Sequence, residues 1–191
     1  MTDTMINQPK SSPGNRWLTS YYFARAAFSV VWVAAAFTLG KAMPLAAAVL
    51  LVVYPAWDAA ANFVDAQRNG GLKQNPTQAL NVVVSGVTTG AVAIALGISM
   101  NAVLGVFGVW AVLAGIFQLA TGVRRWKSVG AQWAMILSGA QSVLAGAFFF
   151  KQASAPKTAG ITDIAPYAAF GAFYFLVSGL WLTVAEARRR K

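Results

Sequence analysis

Few residues of this 191-residue chain offer polar chemistry, and one of them stands where apolar side chains are the rule. In the stretch YPAWDAAANFVDAQR, residues 54–68, Asp58 lies inside a run that otherwise suits hydrocarbon. A lone charge at such a depth costs on the order of 3 kcal/mol on insertion scales, so pairing or water access must offset it. Arg25 sits a few residues into an earlier apolar run, and two adjacent antiparallel helices would bring its guanidinium and the carboxylate to similar depths. Asn62, one helical turn beyond Asp58, is a further partner. The spacing predicts an Arg25–Asp58 pair with Asn62 beside it. Two roles compete for it: a polar clasp that fixes how two helices pack, and a proton- or ion-responsive site, since intramembrane acids mark pathways. A single acid with no neighbouring acid or His makes a poor relay, which favours the clasp.

Other chemistry is largely excluded. The chain has no Cys, hence no disulfide, thiolate metal site or Cys nucleophile, and no His, the commonest general base and transition-metal ligand. The serines lack an activating base, and no Gly-rich phosphate loop, paired carboxylates or metal cluster is found. No catalytic residue, cofactor or metal is expected, and the enzyme class ranks last. Gln118 and Gln141 are expected to hydrogen-bond across helices, Asn81 and Asn101 to lie near interfaces, and Asp65, Asp163 and Glu186 to be solvated at span ends or in loops.

The elements that must hold these residues follow from composition. Hydrophobic residues make up 58% of the chain and charged residues 10%, against about a quarter charged in soluble domains. Six apolar runs approach the roughly 20 residues that a helix needs to cross a bilayer: 22–40, 42–64, 78–100, 101–121, 132–150 and 165–186. Their unbroken length argues against barrel strands, and the expected fold is an all-α integral membrane protein of six transmembrane helices.

The net charge of +10 would suggest nucleic acid in a soluble chain. Here the basic residues alternate with the apolar runs, so lipid is the expected partner and nucleic acid is not. Lys41, Lys151 and Lys157 fall on one side of the expected membrane; every other Lys and Arg, including Lys10, Arg68, Lys73, Arg125, Lys127 and the closing RRRK, falls on the other. The positive-inside rule makes that side, with both termini, cytoplasmic. Trp17, Tyr21, Trp126 and Trp133 mark the same boundary. Residues 1–16 read as a disordered tail rather than a cleaved leader, 17–187 as the membrane domain, and 188–191 as a basic tail that anchors orientation.

The even-numbered spans end alike. Tyr54, Asp58, Ala59 and Arg68 correspond to Trp110, Ala114, Gly115 and Arg124, then to Tyr174, Ser178, Gly179 and Arg188; Arg25, Ser85 and Ser138 echo one another in the odd spans. This predicts three sequential helical hairpins as parallel repeats, in a bundle with crude threefold symmetry. Close packing is expected at Gly86 and Gly90, at Ser138, Ser142 and Gly146, and at Gly115 and Gly179, within the bundle first and in a homo-oligomer second.

The stretch GVFGVWAVLAGIFQLATGVRRWKSVGAQWAMILSGAQSVLAGAFFF, residues 105–150, resembles the short repeat of the HdeD-like bacterial membrane proteins, the DUF308 family, in its small and aromatic residues, its basic turn, Trp133 and the following LSGAQSVLAG. Asp58-Ala59, where Gly is usual in the second position, and the long loop after the fifth span depart from the pattern. The resemblance implies a multi-pass inner-membrane protein, associated with acid resistance and without an established activity. The expected function is noncatalytic, in acid or envelope stress tolerance; the alternative is a small-solute or proton transporter centred on Asp58.

Overall fold

The computed structural model describes residues 13–124 and 132–189, and all of their regular structure is helical. The helices are α1 (Pro13–Ala35, continued by a π turn, Ala36–Gly40), α2 (Pro44–Arg68), α3 (Pro76–Leu96), α4 (Met100–Arg124), α5 (Gln132–Ala153) and α6 (Ile161–Arg189). Each expected apolar run has folded as one helix. Two boundaries need correction: α1 begins at Pro13, inside the expected tail, and α6 continues through Arg189, inside the expected basic tail. Lys10, Arg125, Trp126, Lys127, Arg190 and Lys191 lie outside the described residues.

Local chemistry explains the ends. Pro13, Pro44 and Pro76 open their helices, where a fixed φ helps and a missing N–H costs nothing. After α2 the chain reverses through Gly70 and Gly71, with φ of 97° and 90°, a backbone region that glycine enters freely. The Gly71 N–H returns to the Ala66 carbonyl at 2.8 Å, as in a Schellman ending.

Among the described residues, five helices, α1 with its π turn, α2, α3, α4 and α6, are long and apolar enough to cross a membrane. The outward surface is equally apolar: Leu45, Ile94 and Ile98 are 76%, 72% and 73% exposed. A helix in a water-soluble bundle would carry charged and polar residues there.

The packing order around the bundle follows the chain and closes through α6 and α1. The extensive contacts join α4 to α5, α1 to α6 and α2 to α3; α3 meets α4 less closely, and α1–α2 and α5–α6 touch lightly. Glycine permits the closest of these contacts. A β-carbon on Gly146 would stand 2.6 Å from the Gly108 carbonyl oxygen, and one on Gly179 would stand 3.2 Å from the Phe23 ring of α1. Ser142 donates to the Ala111 carbonyl at 3.1 Å, and Ser138 makes a longer contact, 3.4 Å, with Gln118 Oε1. Gly86 and Gly90 break the expectation of packing within the bundle: both are exposed on α3, and a β-carbon on either would meet nothing within 4 Å. GxxxG spacing places two glycines on one face, and here that face points away from the bundle.

Burial is uneven along the axis. The most deeply buried apolar side chains, Trp32, Leu51, Val92, Leu104, Phe107 and Ile164, lie toward the α1–α2, α3–α4 and α5–α6 connections. Tyr54 and Trp110 bound this core, and the half beyond them, where α1 starts and α6 ends, holds the polar residues and a cavity.

Candidate functional site

The polar centre forms where α1, α2, α3 and α4 come to the same depth. Arg25 Nη2 of α1 makes a salt bridge to Asp58 Oδ1 of α2, and their side chains are 14% and 16% exposed. Arg25 Nη1 donates to the Tyr21 hydroxyl at 2.9 Å, and its guanidinium carbon lies 4.3 Å from the centre of the Phe175 ring, within cation–π range. The other carboxylate oxygen, Oδ2, accepts from Ser85 Oγ at 2.7 Å and from Asn62 Nδ2 at 3.1 Å. Asn62 also donates to the Asp58 carbonyl at 2.8 Å, and Trp110 Nε1 donates to Ser85 Oγ at 3.0 Å.

The three residues that the sequence singled out, Arg25, Asp58 and Asn62, are thus in direct contact. Ser85, 1% exposed, and Trp110, 4% exposed, complete the group. They were absent from the sequence-based site; the available signal was that Ser85 and Trp110 are the repeat counterparts of Arg25 and Tyr54. A buried network of this kind is stabilising only when its members are satisfied, because low dielectric strengthens made bonds and penalises missing ones alike.

A cavity of about 100 Å³ adjoins the pair. Arg25, Tyr54, Asp58, Trp110 and Tyr174 line it, so the aromatic residue of each even-numbered helix contributes to one wall. Gln118, Ser138, Gln141 and Ser142 supply polar groups from α4 and α5, and Ser142 is 2.8 Å from the Tyr167 hydroxyl of α6. Tyr54 meets Trp32, Phe28 and Trp110 with ring centres 4.7, 6.2 and 5.6 Å apart, closing the cavity toward the core.

Asp65 corrects another expectation. It is buried, 8% exposed, rather than solvated, and its carboxylate accepts from Asn69 Nδ2 at 3.0 Å, Trp17 Nε1 at 3.3 Å and Gln78 Nε2 at 3.4 Å. These tie the ends of α1, α2 and α3 together, with Arg68 over the Trp17 ring at 4.9 Å. Asp163 accepts the Gly160 N–H at 2.7 Å at the start of α6. Asn101 holds the loop after α5, accepting the Ala159 N–H at 2.8 Å and approaching the carbonyls of Ala153 and Ala155. Among the described residues no three His, Cys, Asp or Glu side chains converge as a metal site.

Residues 79–151 match the family model described as a short repeat of unknown function, DUF308. The DUF308 segment runs through most of α3, all of α4 and most of α5, and so contains Ser85, Trp110 and the glycine contact between α4 and α5. Arg25 and Asp58 lie outside it. No curated protein and no solved structure matches the chain. The DUF308 match and helices this long and apolar both support a membrane protein, in keeping with the HdeD-like resemblance of residues 105–150.

Proposed function

We propose that this chain is a noncatalytic multi-pass protein of the bacterial inner membrane, with six crossings and both termini in the cytoplasm, that contributes to acid or envelope stress tolerance. One observation carries the noncatalytic reading: Asp58 is engaged on both oxygens, by Arg25 on one and by Asn62 and Ser85 on the other. A carboxylate so occupied clasps helices together and has little capacity left for proton or ion exchange. The stress role rests on the DUF308 resemblance.

The packing supports the repeat reading. Each even-numbered helix lies closest to the next odd one, with α6 returning to α1, as three parallel α1–α2, α3–α4 and α5–α6 units around one axis would arrange themselves. The convergence of Tyr54, Trp110 and Tyr174 on one cavity fits the same axis. The cytoplasmic placement of the ends rests on the Lys and Arg distribution.

The test is survival of a deletion strain at low pH. Asp58→Asn, expressed and inserted like the wild type, should restore survival fully; failure to do so would move the role to Asp58 itself. A second reading, small-solute or proton transport, is favoured by the cavity beside that pair. It requires a saturable flux into proteoliposomes that Asp58→Asn abolishes.

A further inference from the structure

We propose that the cavity binds a small uncharged molecule that presents an acceptor oxygen on an apolar body. About 100 Å³ is room for several waters or one compact organic molecule. The charged residues of the wall are Arg25 and Asp58, and they are paired with each other. A ligand with net charge would enter without a counter-ion and carry the full cost of leaving water.

Two donors among the lining residues lack an acceptor. Among the described residues, Arg25 Nε and Trp57 Nε1 are buried N–H groups with no hydrogen-bond partner, and both residues line the cavity. Two orphaned donors beside an otherwise bonded network are unusual, because each forfeits the water it had in the unfolded chain. Both nitrogens are sealed from water-sized molecules as the side chains stand, so a carbonyl, ether or hydroxyl oxygen in the cavity would satisfy either of them once its side chain turns toward the guest. The faces of Trp57, Trp110, Phe170 and Phe175 supply an apolar surface for the rest of the molecule, and Gln141 supplies both a donor and an acceptor. The inference goes beyond the packing role and rests on it in one respect: the Arg25–Asp58 pair stays closed while the ligand binds beside it.

The experiment is calorimetric titration of the purified full chain in nanodiscs, corrected for empty nanodiscs. The probes are phenol, benzene, which lacks the oxygen, and benzoate, which carries a charge at neutral pH. Phenol should bind saturably and more tightly than benzene, and benzoate should not bind. Trp57→Phe removes the indole N–H while keeping a ring; it should weaken phenol about fivefold, the worth of one net hydrogen bond, and leave benzene unchanged. Ala145→Leu, which fills the cavity, should abolish binding of both, and Ala114→Leu fills it from α4 if the first variant does not fold. Gln152→Leu, away from the cavity, should change nothing. Absent phenol saturation, benzoate binding as tight as phenol, or full phenol affinity in Trp57→Phe would each overturn the proposal. None of these readings depends on survival or flux, so the stress role stands or falls separately.

Discussion

Gly115 and Gly139 approach so closely that a β-carbon on the first would lie 2.6 Å from the carbonyl oxygen of the second, and one on the second 2.8 Å from that of the first. The contact is reciprocal and falls on main-chain atoms, which cannot swing aside. Gly115→Ala should therefore cost about 1–3 kcal/mol as an overpacked contact. Gly86→Ala, on the outward face of α3, should cost nothing and gain up to about 1 kcal/mol in helix propensity. Denaturation midpoints of the two variants in detergent, followed by circular dichroism, should move in opposite directions.

The ion pair predicts an asymmetry between breaking and replacing. Asp58→Ala leaves Arg25 without its carboxylate and should cost about 3–5 kcal/mol. Arg25→Met with Asp58→Leu removes both charges and should recover most of that loss. Equal damage from the single and double variants, measured as denaturation midpoints, would remove the clasp.

Ser85 bridges Asp58 and Trp110, so the two contacts should couple. Ser85→Ala is expected to cost about 1–3 kcal/mol, because the Trp110 N–H then loses its acceptor inside the bundle. Trp110→Phe should be less costly in that background than in the wild type, with a coupling of at least about 0.5 kcal/mol in the double-mutant cycle. Additive effects would mean that the 3.0 Å contact contributes nothing.

Asn101 governs the loop between α5 and α6 at a distance in sequence. Asn101→Ala removes the acceptor for the Ala159 N–H and the amide near the Ala153 and Ala155 carbonyls. Limited proteolysis should then cut residues 154–160 several-fold faster, while the helices remain protected. An unchanged cleavage rate would show that the loop holds itself.

How much of this was legible in the sequence depends on the kind of constraint. The six helices could be read because long apolar runs admit few other structures. Arg25 and Asp58 could be paired because a charge in such a run needs a partner, and only one basic residue had the right depth. Ser85 and Trp110 could not be assigned to that pair, since which faces of α3 and α4 turn toward Asp58 is decided by packing. The same gap misplaced Gly86 and Gly90: spacing gathers them on one face without saying where that face points. Asp65 misled through position, because the end of a span usually meets water, whereas Trp17, Asn69 and Gln78 cover it here.

The lopsided distribution of burial limits what the bundle can do with a guest. Leu51, Leu104, Phe107 and Ile164 form a plug beneath Tyr54 and Trp110, with no polar atom in their side chains to escort a solute onward. A guest in the pocket finds no polar route onward through these side chains. Passage to the far side would demand that this plug be dismantled, a far larger event than the turning of a side chain.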